Sequence, residues 1–134
     1  MDEVVDHKAR VGEYLARFGR ERNLSLPPLT DDGVGSIRRG SAIVSIHVLV
    51  EQGVLLLLSK VAEAPALDVP LAKRVLEASF VETGDAAFAL NPQTGDLYLR
   101  ILRGLEGLDY DEFEDIVHSI AKTADAWDDK LKST

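Results

Sequence analysis

The chain has 134 residues, 46% of them hydrophobic and 28% charged, so it is long enough for a single globular domain (1–134) with its own core. It contains no cysteine, which excludes disulfides and cysteine-ligated zinc sites. Its net charge of −8 would repel a phosphate backbone, which disfavours nucleic acid as a partner. The nearest basic cluster is Arg17, Arg20 and Arg22, and Glu21 interrupts it.

The hydrophobic pattern predicts three helices and five short strands. In chain order the predicted elements are a helix over 2–22, strands over 33–38, 42–50 and 54–61, a helix over 69–81, strands over 86–90 and 96–101, and a helix from 109 to 131. Tight turns join consecutive strands, so the pairs are antiparallel. The predicted fold class is therefore α+β, with an antiparallel sheet of about five strands and three helices in the order α-β-β-β-α-β-β-α.

Local signals mark several of these boundaries. The first helix places Val4, Val11, Leu15 and Phe18 on one stripe, and residues 64–68 form a linker before the middle helix. In the turn 91–95, the last residue is a glycine that permits a positive φ before the chain re-enters the sheet.

The start of the last helix carries its own signal. Asp109 and Glu112 have the spacing of a capping box, and Leu108 can pack on Phe113 as a hydrophobic staple.

The second and third strands predict more apolar sheet surface than the helices can cover. In the second strand Val44, Ile46, Val48 and Val50 share one face, while in the third strand, 54–61, both faces are apolar. The first and last helices can cover one face, which leaves only the short middle helix for the other. Either that helix covers the second face, or the face is a dimer interface, a peptide-binding surface or both.

Three segments resemble one known family. The middle-helix sequence 71–80, the hairpin 87–99, and the closing segment from Leu105 to Asp109 with the later Ala126-Trp127 pair are similar to class I type III secretion chaperones, the CesT-like family. Where that family often has asparagine in the middle helix, this chain has Ser79. The YbjN-like bacterial regulators resemble the same pattern and share the fold.

The resemblance implies a homodimeric chaperone without catalytic activity or cofactor, which binds an extended segment of a secreted, effector-like protein by strand addition and apolar grooves. By the family's pattern, the dimer contact would be made by Leu71, Val75, Leu76, Phe80 and Phe88. The client grooves would fall near Leu15, Phe18, Ile37, Ile43 and Leu49. Ordinary core positions are the alternative for Leu15, Phe18, Ile37 and Phe88. The case for a client site is better for Ile43 and Leu49, which lie on the side of their strand opposite its valine face. A YbjN-like regulatory or adaptor domain acting through protein contacts is the alternative function.

No pattern in the sequence indicates an enzyme or a membrane protein. His7, His47 and His118 are far apart and belong to no catalytic or metal motif, and the acids at 109–115 are better explained by helix capping and a solvated face than by calcium. The Gly33-Val34-Gly35 sequence lacks the other residues of a phosphate loop. No basic apolar leader follows Met1 and no apolar run is long enough to span a bilayer, so we expect a cytoplasmic protein with no membrane partner.

Overall fold

The computed structural model describes residues 6–63 and 67–132, which form three helices and a five-stranded antiparallel sheet. The elements are α1 (His7–Glu21), β1 (Val34–Arg39), β2 (Ala42–Leu49), β3 (Val54–Ala62), α2 (Val69–Ala78), β4 (Ala87–Leu90), β5 (Leu97–Gly104) and α3 (Tyr110–Lys132). Across the sheet the strand order is β1-β2-β3-β5-β4. The predicted α+β class and element order are confirmed.

The described part of the first helix carries its own N-cap. α1 begins at His7, and the Asp6 carboxylate accepts a hydrogen bond from the Ala9 backbone N–H at 2.9 Å as its N-cap. The predicted stripe residue Val4 and the linker residues 64–66 lie outside the described residues.

The C-terminal end of α2 comes earlier than predicted, at Ala78 rather than Val81. The Ser79 hydroxyl donates to the Val75 carbonyl at 2.8 Å and accepts from the Phe88 backbone N–H at 3.0 Å. One side chain therefore closes the helix and joins it to β4, an interaction that sequence periodicity does not reveal.

The hairpin and the start of α3 follow their predicted chemistry. Gly95 has a φ of +78°, and its backbone N–H donates to the Asn91 carbonyl at 2.8 Å. The Glu112 backbone N–H donates to the Asp109 carboxylate at 2.8 Å, and the Asp109 N–H donates in return to the Glu112 carboxylate at 3.4 Å. The capping box therefore fixes where the chain leaves the sheet and enters α3.

One face of the sheet is buried under α1 and α3, and we call it the inner face. It carries the alternate strand residues Val44, Ile46, Val48, Leu55, Leu57, Leu97, Leu99 and Ile101, all of them buried. α3 crosses β2, β3 and β5, while α1 packs on β2 and on α3. The Phe18 and Phe113 rings meet edge to face between the two helices, with centroids 6.4 Å apart. The predicted valine face of β2 is therefore core, except that Val50 lies in the turn after the strand and is exposed.

Polar contacts hold α1 against the start of α3. The Tyr110 hydroxyl donates to the Glu21 carboxylate at 2.6 Å, and Arg22 donates to Glu114 at 2.6 Å. The hydrogen bond from Tyr110, with another from Arg17, lowers the pKa of Glu21 below its ordinary value. These contacts set the angle between the two helices that cover the inner face.

α2 does not cover the opposite face of the sheet. Val75 and Ala78 are its buried residues, and the helix packs beside β4 and the end of α3. The Phe88 ring of β4 meets the Trp127 ring of α3 edge to face at 5.0 Å, and the Arg74 guanidinium of α2 lies 5.3 Å from the Trp127 ring. The middle helix is therefore placed at one edge of the sheet.

Candidate functional site

The side of the sheet opposite the helices is partly apolar and open, and we call it the outer face. Its exposed or half-exposed apolar side chains include Ile43, Leu49, Leu56, Leu58 and Leu102. Ile43 is 51% exposed and Leu102 is 54% exposed, although both lie within strands. None of the helices in residues 6–63 and 67–132 shields this face. Exposed apolar surface of this kind is typical of a protein-binding site.

Strand register brings these side chains together. His47 pairs with Leu56, and Leu56 pairs in turn with Leu102 on β5. One row over, Leu58 lies between Ser45 and Arg100. Since neighbouring strands are about 4.8 Å apart, the leucines of β3 and β5 form one continuous apolar patch.

A shallow groove continues the outer face beneath the β4–β5 turn. It has a volume of about 360 Å³ and is lined by Leu58, Tyr98, Ala89, Leu90 and the turn residues 91–93. A groove of this volume is large enough to hold an apolar side chain.

His47 lies within the outer face, where it contacts another polar group of the same strand. Its Nε2 is 3.1 Å from the Ser45 hydroxyl, and burial among its neighbours lowers its pKa below the ordinary histidine value. Its environment favours a neutral imidazole in an apolar contact surface.

The charge of the protein is segregated in space, although the sequence contains no long basic run. Within the five strands there are five basic residues and no aspartate or glutamate: Arg38, Arg39, Lys60, Arg100 and Arg103. Because the chain as a whole carries −8, the strands at +5 leave −13 on the other segments. These cations are scattered along the sequence, and only strand pairing brings them into one sheet.

The free edge at β1 has unpaired backbone groups. The Gly33 carbonyl accepts from the Val48 N–H at 2.8 Å, so the backbone groups of Gly33 point towards β2. The backbone groups of Val34 point away from β2, and both bond with Thr30: the Val34 N–H donates to the Thr30 hydroxyl (3.1 Å), and the Val34 carbonyl accepts from the Thr30 N–H (2.9 Å). By alternation Ser36 and Arg38 also point outward. No described residue bonds to their outward groups, which makes this edge competent for strand addition.

α2 presents a second apolar surface, which we call the α2 stripe: Val69, Leu76 and Phe80. Leu76 is 69% exposed and Phe80 is 89% exposed. Val69 and Leu76 are two helical turns apart, on the side of α2 away from Val75.

Several residues predicted from the resemblance have other positions in the structure. Leu15, Phe18 and Ile37 are buried between the helices and the inner face, so they are core residues and not walls of a client groove. Ile43 and Leu49 do lie on the same outer face, at opposite ends of β2. In the predicted dimer set, Leu71, Val75 and Phe88 pack against the core of the chain, and only Leu76 and Phe80 are exposed. Amphipathic periodicity shows that a residue is buried, but not by which surface.

In 6–63 and 67–132 no three histidine or acidic side chains converge as metal ligands. No helix in these ranges is long and apolar enough to cross a membrane.

Solved structures with the same fold include several two-protein complexes, one of them described as a chaperone–effector complex. The chain matches the ExsC–ExsE complex (TM-score 0.75, 23% identity, covering 92% of this chain and 95% of the matched one) and the HopA1–SchA chaperone–effector complex (0.73, 15%, 95% and 99%). It also matches ExoU–SpcU from the type III secretion system of Pseudomonas aeruginosa (0.69, 17%, 92% and 99%). At these identities the matches establish the fold.

The family is established independently by sequence. The model of the Tir chaperone protein (CesT) family matches residues 13–128, and the chain therefore belongs to that family. The resemblance to CesT-like chaperones is confirmed. A comparison with curated proteins finds no significant match.

Proposed function

We propose that the protein is a non-catalytic, cytoplasmic chaperone that binds an extended segment of a type III secretion effector on the outer face and along the β1 edge. The observation that carries this proposal is an open apolar sheet face beside an unpaired strand edge, in a chain of the CesT family. One solved structure of the same fold is a chaperone–effector complex and another is a heterodimeric complex from a type III secretion system, which supports the same partner class.

The two surfaces supply complementary parts of the binding energy. A client strand beside β1 would bond with the outward N–H and carbonyl groups of Ser36 and Arg38, whatever its sequence. Its continuation over the outer face would bury Ile43, Leu49 and Leu102, and each such burial contributes roughly 1–2 kcal/mol because these side chains are already partly covered. Backbone pairing therefore gives affinity, and the apolar pockets select the client.

The same proposal includes a homodimer formed through the α2 stripe. Leu76 and Phe80 are too exposed to contribute to the protomer core. In a symmetric, isologous contact, both copies of each residue would be buried. This arrangement leaves the outer face of each protomer accessible, because α2 and β1 lie at opposite edges of the sheet.

A regulatory or adaptor domain that acts through the same dimer is the alternative function. A regulator would contact a folded partner, whereas a chaperone holds an extended segment. Limited proteolysis of the captured complex separates the two: a single short protected segment of the partner supports the chaperone, and a protected folded domain supports the regulator.

The experiment is affinity capture from the native host followed by mass spectrometry, with the wild type and an Ile43→Glu/Leu49→Glu variant. The matched control is Ala16→Glu/Ala126→Glu, which adds the same two carboxylates at exposed helix positions. We expect the wild type and the control to capture the same client and the outer-face variant to lose it. A folded outer-face variant that retains the client would refute the site.

A further inference from the structure

The charged strand residues that project from the outer face have one sign. Arg38 on β1, Lys60 on β3 and Arg100 on β5 all alternate with inner-face residues, so they project from the outer face together with its leucines. The strands contribute no carboxylate to this face, although the protein as a whole is acidic. A cationic face on an anionic protein is a specific electrostatic feature.

The three cations are gathered at one end of the outer face. Arg38 pairs with Ile43, and continuation of the Val44–Ser59 register places Ile43 opposite Lys60. Arg100 lies in the adjacent row, beside Leu58. The opposite end, about 20 Å away along β2, carries Leu49 with no cation near it in register.

Two of these cations are available for a partner. Lys60 lies 3.5 Å from the Asp96 carboxylate and 3.6 Å from that of Glu63, so its charge is largely neutralised. Arg38 and Arg100 are exposed and make no ion pair with the described residues. Arg38 is also at the free β1 edge, where an added strand would pass directly beside it.

From this arrangement we infer that the client segment is acidic and amphipathic, with carboxylates over the Arg38–Arg100 end of the outer face and apolar side chains over the Leu49–Leu102 end. The inference rests on the proposed function and names the chemistry of its partner. Charge complementarity gives register and partner selection, because a lysine-rich segment would meet like charge at the same positions. Nucleic acid fits less well, because its phosphate backbone carries a charge at every step and offers no apolar side chain for the Leu49–Leu102 end.

The test uses three fluorescent 16-residue peptides that share alternating apolar positions. The peptides differ only in the polar positions of one half, which are all Glu in the first peptide, all Gln in the second and all Lys in the third. Fluorescence anisotropy at about 0.05 M salt should give a Kd for the Glu peptide roughly fivefold below that of the Gln peptide, with the Lys peptide weakest. In the variant Arg38→Gln/Arg100→Gln the three Kd values should converge. The matched control Arg20→Gln/Lys122→Gln removes two exposed helix cations and should preserve the ranking.

The outcomes separate the inference from the proposed function. Equal binding of all three peptides to the wild type would overturn the charge preference and leave the binding face intact. No binding of any peptide would overturn the face itself. Tighter binding of a single-stranded DNA 12-mer, lost in Arg38→Gln/Arg100→Gln, would assign the cations to nucleic acid. Self-association lost in that variant would assign them to a second copy of the chain.

Discussion

The α2 stripe gives a sharp prediction because Leu76 and Val75 are neighbours with opposite environments. Leu76 is 69% exposed and Val75 is 5% exposed, so the same substitution tests an intermolecular surface at one position and the protomer core at the other. The two variants are Leu76→Asp and Val75→Asp.

The magnitude at Leu76 follows from its exposure and from symmetry. About two thirds of a leucine side chain is available for burial, which corresponds to roughly 1.5 kcal/mol per protomer and about 3 kcal/mol per dimer. Desolvation of the introduced carboxylate adds at least about 1 kcal/mol, so the dimer Kd should rise roughly a thousandfold. Within the protomer, aspartate near the end of α2 should destabilise by only about 1 kcal/mol.

The assay combines light scattering with fluorescence of Trp127, the one tryptophan of the chain. Trp127 is buried beside α2 and β4, so its emission reports whether α2 is docked. Leu76→Asp should scatter as a monomer near 14.6 kDa with unchanged emission. Val75→Asp should shift the emission to the red and destabilise by about 3 kcal/mol or more. A Leu76→Asp protein that remains dimeric, or a wild type that scatters as a monomer, would refute the interface.

Three further predictions concern the fold around the binding surfaces. Trp127→Ala should destabilise by about 3–5 kcal/mol in urea denaturation, because the ring joins Phe88, α2 and α3; a loss below about 1 kcal/mol would contradict that packing. Asp109→Ala should destabilise by about 1 kcal/mol through loss of the α3 cap, whereas Asp111→Ala, exposed and outside the capping box, should have a smaller effect. The folded pKa of His47 is below its ordinary value of 6.5, so its contribution to stability is present above pH 6.5 and is lost as the pH falls through the folded pKa. His47→Gln should therefore lose less stability than the wild type between pH 7.5 and 5.5, and equal losses would exclude His47 as a source of the pH dependence.

The elements with local signals could be predicted from the sequence. The Asp109–Glu112 capping box and the Gly95 turn are short-range chemistry, and both are present as expected. The alternation in β2 also identified its buried face, since period 2 follows directly from strand geometry.

What could not be predicted depends on contacts between distant segments. The end of α2 is fixed by Ser79 bonding to Phe88 across the connection to β4. The sequence leaves Phe18 and Ile37 open between a client groove and the core, and only the packing of α1 on the inner face shows that they are buried. The cationic end of the outer face joins Arg38 to Arg100 through strand register, over a separation that no sequence window spans.

Backbone amide hydrogen exchange of the protein with and without its captured client tests the central claim most directly. If the client adds a strand at β1 and covers the outer face, the outward amides of Ser36 and Arg38 should exchange slowly only in the complex. The inward amides of Gly35 and Ile37, expected to be bonded to β2 in the free protein, should change much less. Unchanged exchange at Ser36 and Arg38, with protection confined to the α2 stripe, would contradict the account.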